Sequence, residues 1–349
     1  MSHATTLTAP LPRPTCVFEP IEELLIDAVA AKVVEEAVRL KLFDNLETPK
    51  NLEQVSAILG SNTGVTEVLL DVLETKDLVT KAGDFYINTT MASEFLVSTS
   101  PFWQGSFLLS QQERHTMLID DMANLMQGRA RAGQGAPGQH WLNVDALNTL
   151  GQYSLQGSLQ DMVAFITALP TFSDMRRMCD VGGNHGRYTM ALLGENLRMT
   201  AEILDVPPAV PAIQALCADS DHADRLSARG FDLRRDSLPD AAYDLVLISH
   251  VLHLFSRALP KVLRTLAAGV APGGWFVSQN LDREGGRSPT IRGIRELMTR
   301  MMGVQTHFLT AEHMEQMQAT LRDEGFGDFR TSRGGPNGLN LIFAARKVM

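Results

Sequence analysis

Cysteine is scarce in this 349-residue chain, which holds only Cys16, Cys179 and Cys217. Their spacing fits neither a disulfide framework nor a zinc site, and an odd count suits a reducing compartment. No stretch approaches the roughly 18 uncharged apolar residues that a membrane-crossing helix needs. The start, MSHATTLTAPLPRPTC, lacks the charged head and apolar run of a signal peptide, so the expected location is the cytoplasm. No block of lysine or arginine occurs and the net charge is -9, which argues against nucleic acid as a partner. No internal repeat is visible. What is present is ordinary for a globular protein: 44% hydrophobic and 20% charged residues, ample for a sizeable core. The length exceeds what one core usually spans, so two domains are expected.

Residues 1–17 are Pro/Thr-rich and read as a flexible N-terminus. From Ile21 to Leu42 apolar groups recur at helical spacing, and LEQVSAILG and VTEVLLDVLET repeat that pattern. LVTKAGDFYINT then reads as a hairpin turning at Ala82-Gly83. Helices followed by a hairpin make residues 18–100 a winged-helix-like module. Such modules often grip DNA, but the second and third helices carry Glu53, Glu67, Asp71 and Glu74 with few basic groups. A helix facing phosphates would be basic. Packing and dimerisation is the reading that remains. Residues 101–174 read as a helical connector, with a glycine-dense stretch at 128–140 that suits plain connection as well as a gate.

From residue 175 to 349 strands and helices alternate. RRMCDV, TAEILDV, FDLRRD, YDLVLIS and WFVSQN read as strands, with a helix over Leu254–Val270 and a turn at Pro272-Gly273-Gly274. Helices near 290–302 and 311–323 follow, and FRTS and LNLIFAARK close the chain as a hairpin across RGGPNG. Alternation of this kind gives a doubly wound, mostly parallel α/β sheet with an antiparallel last strand.

Ligands of such sheets sit beyond the carboxyl ends of the strands. The first strand runs into Asp180-Val-Gly182-Gly183-Asn184-His185-Gly186, where glycines let backbone amides approach a ligand at a helix N-terminus. A dinucleotide fingerprint starting at Gly182 needs glycine at 184 and 187, and Asn184 and Arg187 stand there instead. Asp205 ends the second strand, where a carboxylate can accept two ribose hydroxyls or cap the turn before Pro207-Pro208. Asp236, after the expected third strand, is placed to accept from an adenine amino group. His250 and His253 stand three apart, as two metal ligands on one helix can, but no third ligand is apparent, so no metal is expected. Methionines around ELMTRMMG, among them Met298 and Met302, offer an adaptable apolar surface or ordinary core.

These motifs resemble the plant caffeic acid and acetylserotonin type of O-methyltransferase, a family with bacterial members acting on polyketides, phenazines and tetrapyrroles. The resemblance covers nearly the whole chain. Residues 37–89 are similar to the family's dimerisation region, DVGGNHG to its DVGGGxG cofactor loop, LDVPPAV to its DLP segment, and APGGWFVSQN to its PGG strand. It implies a seven-stranded Rossmann-like methyltransferase sheet, S-adenosyl-L-methionine as cofactor, a homodimer, and a small aromatic or largely apolar methyl acceptor. By the same resemblance Asp180, Gly182, Gly183, Asn184 and Gly186 would hold the methionine part, Asp205 and Val206 the ribose, Asp236 and Ser237 the adenine. Ser249 would line the same pocket. ISHVLHLF is similar to the family's VLHDW segment, which puts His253 on the general-base histidine, with His250, Asn280, Met298 and Met302 toward the acceptor. A base with a pKa near the operating pH assists transfer to a phenol that is mostly protonated.

The chain departs from the pattern. Leu254 and Phe255 replace Asp-Trp, Asn280 replaces a glutamate, Phe308 stands at a second glutamate, and Ser237 replaces a hydrophobic residue. Methylation of carbon or nitrogen, a reaction that keeps the cofactor for structure, or a ligand-sensing regulator with a degenerate catalytic domain therefore stand beside O-methylation.

Overall fold

The computed structural model describes residues 13–120, 122–127, 143–282, 285, 288–301 and 308–348. The chain divides into two units between Leu109 and Ser110. In the first, α1 (Glu19–Arg39) and α2 (Leu42–Asn45) lead to β1 (Lys50–Asn51), α3 (Leu52–Leu59) and α4 (Thr63–Thr75). The hairpin of β2 (Val79–Ala82) and β3 (Phe85–Asn88) and then α5 (Thr90–Leu96) follow. The helices begin where short polar side chains take up free amides. Asn51 accepts the Gln54 N–H while Gln54 accepts the Asn51 N–H, and Asn62 caps α4. The hairpin turns at Gly83 as expected, with Ala82 opposite Phe85. Leu42, Phe43, Leu46, Leu70, Leu73 and Tyr86 form the sealed core of this unit. By contrast α1 leaves Ile21, Leu25 and Val29 exposed at 57%, 67% and 61%.

Next come α6 (Gly105–Asp120), α7 (Met122–Met126), α8 (Val144–Ser154) and α9 (Ser158–Thr167). The glycine-dense stretch 128–140 lies outside the described residues. The sheet of the second unit uses β4 (Arg177–Val181), β5 (Thr200–Asp205), β6 (Leu226–Gly230), β7 (Tyr243–Ser249), β8 (Val270–Leu281), β9 (Phe326–Gly334) and β10 (Asn340–Lys347). Between them run α10 (Arg187–Glu195), α11 (Val210–Ala218), α12 (Leu259–Gly269), α13 (Pro289–Met301) and α14 (Ala311–Asp323). The order β6-β5-β4-β7-β8-β10-β9 is parallel except at β10, which runs antiparallel to both its neighbours. This is the expected doubly wound sheet with its antiparallel hairpin end.

Strand alternation sends successive side chains to opposite faces. Leu245, Leu247, Trp275 and Val277 pack toward α8–α11, whereas Val246, Ile248 and Phe276 pack toward α12 and α14. Burying each such side chain contributes about 1.5–3 kcal/mol. Cys179 and Cys217 are free thiols within this core, and Cys16 is free and exposed.

Three expectations change. The third strand is LSARG, not FDLRRD: β6 ends at Gly230, and the next residues form a turn. Pro272-Gly273-Gly274 does not precede the fifth strand but lies within β8 as a bulge, with Gly273 at φ 80. The helix over 254–270 is shorter. A separate 3-10 turn spans Leu252–Ala258, and α12 begins at Leu259 with a proline in its first turn, where the missing N–H is tolerated.

Candidate active site

The glycine turn after β4 is compressed from several sides. Gly182 sits at φ 73, and a Cβ there would lie 2.6 Å from a Val251 methyl. A Cβ on Gly183 would fall 2.6 Å from the Asp180 carboxyl carbon, and one on Gly186, at φ 68, 2.7 Å from Ile203. The turn therefore leaves no room for a side chain at these positions, and its main chain packs directly against Val251, Asp180 and Ile203. Asn184 shares the left-handed region at φ 47.

Asp180 is buried, with Oδ2 accepting the Thr189 hydroxyl at 2.7 Å and Oδ1 lacking a partner among the described residues. Burial pushes its pKa up to about 7 despite that bond. Asp205, at the end of β5, accepts the Asn184 amide at 3.0 Å and the Val206 amide at 2.7 Å, so it ties the glycine turn to the next strand. Burial raises its pKa as well.

The end of β6 is arranged differently from the sequence reading. Asp232, two residues past the strand, is the buried carboxylate, while Asp236 and Ser237 are exposed. Asp236 folds back to accept the Asp232 amide at 2.7 Å. Arg234 and Arg235 clamp the Asp232 carboxylate, and the Arg234 hydrogen bonds hold its pKa below the usual range. Sequence reasoning missed Asp232 because it started the strand five residues too late, at Phe231 instead of Leu226, on the alternation of Phe231 and Leu233.

Past Ser249 the chain leaves the sheet through His250, at φ 55, whose amide donates to the Gln279 carbonyl at 2.8 Å. A non-glycine residue in that region costs about 1–2 kcal/mol, a form of strain that clusters at functional sites. The His250 Nε2 lies 3.2 Å from Gln279 Nε2, which also donates to the Tyr188 phenol at 3.4 Å. The His185 ring stands 5.9 Å from that of Tyr188. His253 follows in the 3-10 turn between buried Leu252 and exposed Leu254. All three histidines are partly buried. Burial lowers the pKa of His185 to about 3 and those of His250 and His253 to about 4, so all three are neutral near pH 7.

Five buried polar atoms gather at the carboxyl ends of β4, β7 and β8 without a partner among the described residues: Asp180 Oδ1, Asn184 Oδ1, Ser249 Oγ, Gln279 Oε1 and Asn280 Oδ1. Each such atom costs about 1–3 kcal/mol, so the cluster marks where a polar ligand completes the structure. Gln279 and Asn280 point to opposite faces: Gln279 continues the Trp275–Val277 face toward Tyr188, and Asn280 bonds Ser278 on the other. The sequence reading chose Asn280 alone. Strand parity from Trp275 onward was the signal that singles out Gln279. Met298 is half-buried on α13, Phe308 is buried, and Met302 lies outside the described residues.

Comparison with known proteins adds two family matches. Residues 152–324 match a methyltransferase domain and residues 23–98 an O-methyltransferase dimerisation domain. The chain is similar to the N,N-dimethyltransferase OxyT of Streptomyces rimosus, at 24% identity over 85% of this chain and 87% of that protein. It is also similar to the L-tyrosine C(3)-methyltransferase of Streptomyces lavendulae, at 22% identity over 79% and 78%. The crystal structure of human N-acetylserotonin methyltransferase in complex with S-adenosylmethionine superposes with a TM-score of 0.72 at 22% identity, covering 97% of this chain and 100% of that one.

Proposed function

This chain belongs to the class I S-adenosylmethionine-dependent methyltransferases that carry an O-methyltransferase dimerisation domain, and from that premise we propose that it methylates an oxygen of a small aromatic or largely apolar acceptor, with His253 as general base. The cofactor is S-adenosylmethionine, which supplies a methyl group made electrophilic by its sulfonium. The site fits it. The side-chain-free turn at Gly182, Gly183 and Gly186 with Asn184, and the Asp180 and Ser249 oxygens that lack a partner among the described residues, suit its methionine end. Asp205 keeps lone pairs for two ribose hydroxyls beyond the two amides that fix it, with Val206 alongside. For the adenine, Asp232 is the better-placed carboxylate, and Asp236 and Ser237 shape the turn that holds it.

The observation that carries the oxygen reading is His253, neutral and half-buried in the turn beyond β7. A neutral imidazole accepts a proton from a hydroxyl as the oxygen attacks, while enclosure excludes bulk water. His253→Ala should leave S-adenosylhomocysteine binding unchanged and cut turnover of a phenol by roughly 10²–10⁴. Equal turnover in the variant would refute the base.

A second reading has its own support. Asn280 offers no negative charge to strengthen His253, whose pKa burial holds at about 4, and a weak base suits an acceptor nucleophilic without deprotonation. The relatives that methylate nitrogen and carbon agree with that reading, as amines and electron-rich rings need no such base.

For assembly, the exposed Ile21, Leu25 and Val29 stripe on α1 lies largely within the dimerisation match and suits packing on a second copy. Residues 101–174 would then serve as connector and acceptor cap, between a dimerisation module at 18–100 and the catalytic domain at 175–349.

A further inference from the structure

Two arginines stand on the α8–α10–α13 side of the histidine cluster without a counter-ion among the described residues. Arg187 opens α10, and its stem crosses α8 at Gly151, where a Cβ would strike the Arg187 Nε and lie 3.3 Å from the His185 ring. Glycine inside a helix costs about 1 kcal/mol relative to alanine, and here the missing side chain makes the arginine's path. Arg295, on α13, donates to the Tyr153 phenol of α8 at 3.1 Å and stacks 6.0 Å from its ring. Both arginines are half-buried, and neither forms an ion pair among the described residues. In a chain of net charge -9 this is not general background.

The same wall holds Gln279, fully buried, with its Oε1 unpartnered and its Nε2 turned to Tyr188 and His250. The charge of Arg187 acts on His185 and that of Arg295 on His250, in each case adding to burial in keeping the imidazole neutral. The histidines thus contribute hydrogen bonds and the guanidiniums the charge. Enclosed cations without an anion are costly, and a planar guanidinium matches a carboxylate in two parallel hydrogen bonds.

We propose that the methyl acceptor carries a carboxylate, or an equivalent acid group, which Arg187 and Arg295 bind between α8, α10 and α13. This rests on the methyl-transfer reading and narrows its acceptor from aromatic or apolar to an aromatic acid. The other source of the same chemistry is the carboxylate of the cofactor's own methionine part.

Calorimetry separates the two. The protein loaded with S-adenosylhomocysteine is titrated with 4-hydroxybenzoate and 1-naphthoate and with their methyl esters, for wild type, Arg187→Gln, Arg295→Gln and Arg295→Lys. The acids should bind at least about tenfold more tightly than the esters; the glutamine variants should lose that preference and the lysine variant keep part of it. Affinity for S-adenosylhomocysteine should stay within about twofold in all variants, which also reports their folding. Equal binding of acid and ester by wild type overturns the proposal. So does a glutamine variant that loses S-adenosylhomocysteine affinity while retaining that for 5′-methylthioadenosine, which assigns the arginines to the cofactor. Failure of the methyl-transfer reading shows separately, as absence of any methylated product from a protein that still binds these acids.

Discussion

Acidification from pH 6.5 to 4.5 should destabilise the ligand-free protein steeply, and the cleft histidines supply the reason. Unfolded, each imidazole takes a proton as the pH falls through about 6.5. Folded, His250 and His253 resist until about pH 4 and His185 until about pH 3, chiefly because of burial. Between those limits the unfolded chain binds up to three more protons, so stability falls with pH by about 1.4 kcal/mol per proton per pH unit. Asp180 works in the opposite sense: with its pKa raised to about 7, the folded state holds a proton that the unfolded chain has released above about pH 4. Asp205, raised in the same direction, reduces the slope further. A net of one to two protons leaves about 1.5–3 kcal/mol per pH unit, hence about 3–5 kcal/mol over the window, against a total of about 5–15 kcal/mol for ordinary domains. Asp232, whose pKa is lowered, matters only at more acidic pH. Urea titrations followed by circular dichroism at half-unit steps from pH 7.5 to 4.5 give the slope directly. His185→Gln should flatten it by about one proton's worth, roughly 1.4 kcal/mol per pH unit. A stability curve that is level from pH 6.5 to 5, or a variant with the wild-type slope, would refute the reasoning.

Asp205→Ala should weaken S-adenosylmethionine binding by at least about tenfold in calorimetry, since it removes a charged acceptor and frees the Asn184 amide; unchanged affinity in a folded variant would exclude the role. Gly182→Ala forces a Cβ against Val251 at positive φ and should cost about 1–3 kcal/mol, read as a lower melting temperature, with cofactor affinity falling alongside. Leu25→Glu with Val29→Glu should convert a dimer to a monomer in sedimentation; a wild type that is already monomeric would remove the α1 contact from consideration.

The parts of the fold that were legible in the sequence are those written in contiguous residues. The glycine turn and Asp205 at a strand end each announce themselves within a few positions. LSARG does not, because β6 is an edge strand with only Leu226 and Ala228 buried, and the neighbouring Phe231 and Leu233 alternate more convincingly. The cluster of His185, Tyr188, His250 and Gln279 was out of reach for another reason. Its members meet across three strand ends, and a sheet order that departs from chain order is what brings them together. Arg187 and Arg295 each look like ordinary solvated charges until Gly151 and Tyr153 show what they lie against.

The bulge in β8 reaches further than its own turn. While β7 advances from Tyr243 to Leu245, β8 advances from Val270 to Trp275, so the bulge takes up three extra residues before the two strands pair again. The register set there runs on to the strand's end, where Gln279 looks toward Tyr188 and Asn280 to the other face. A one-residue slip of β8 against β7 beyond Ala271–Gly274 would exchange the two amides across the sheet, whereas a bulge that absorbs the change in length keeps Gln279 on its face. The bulge is thus a length buffer: it isolates the polar strand end from changes in chain length upstream of Trp275.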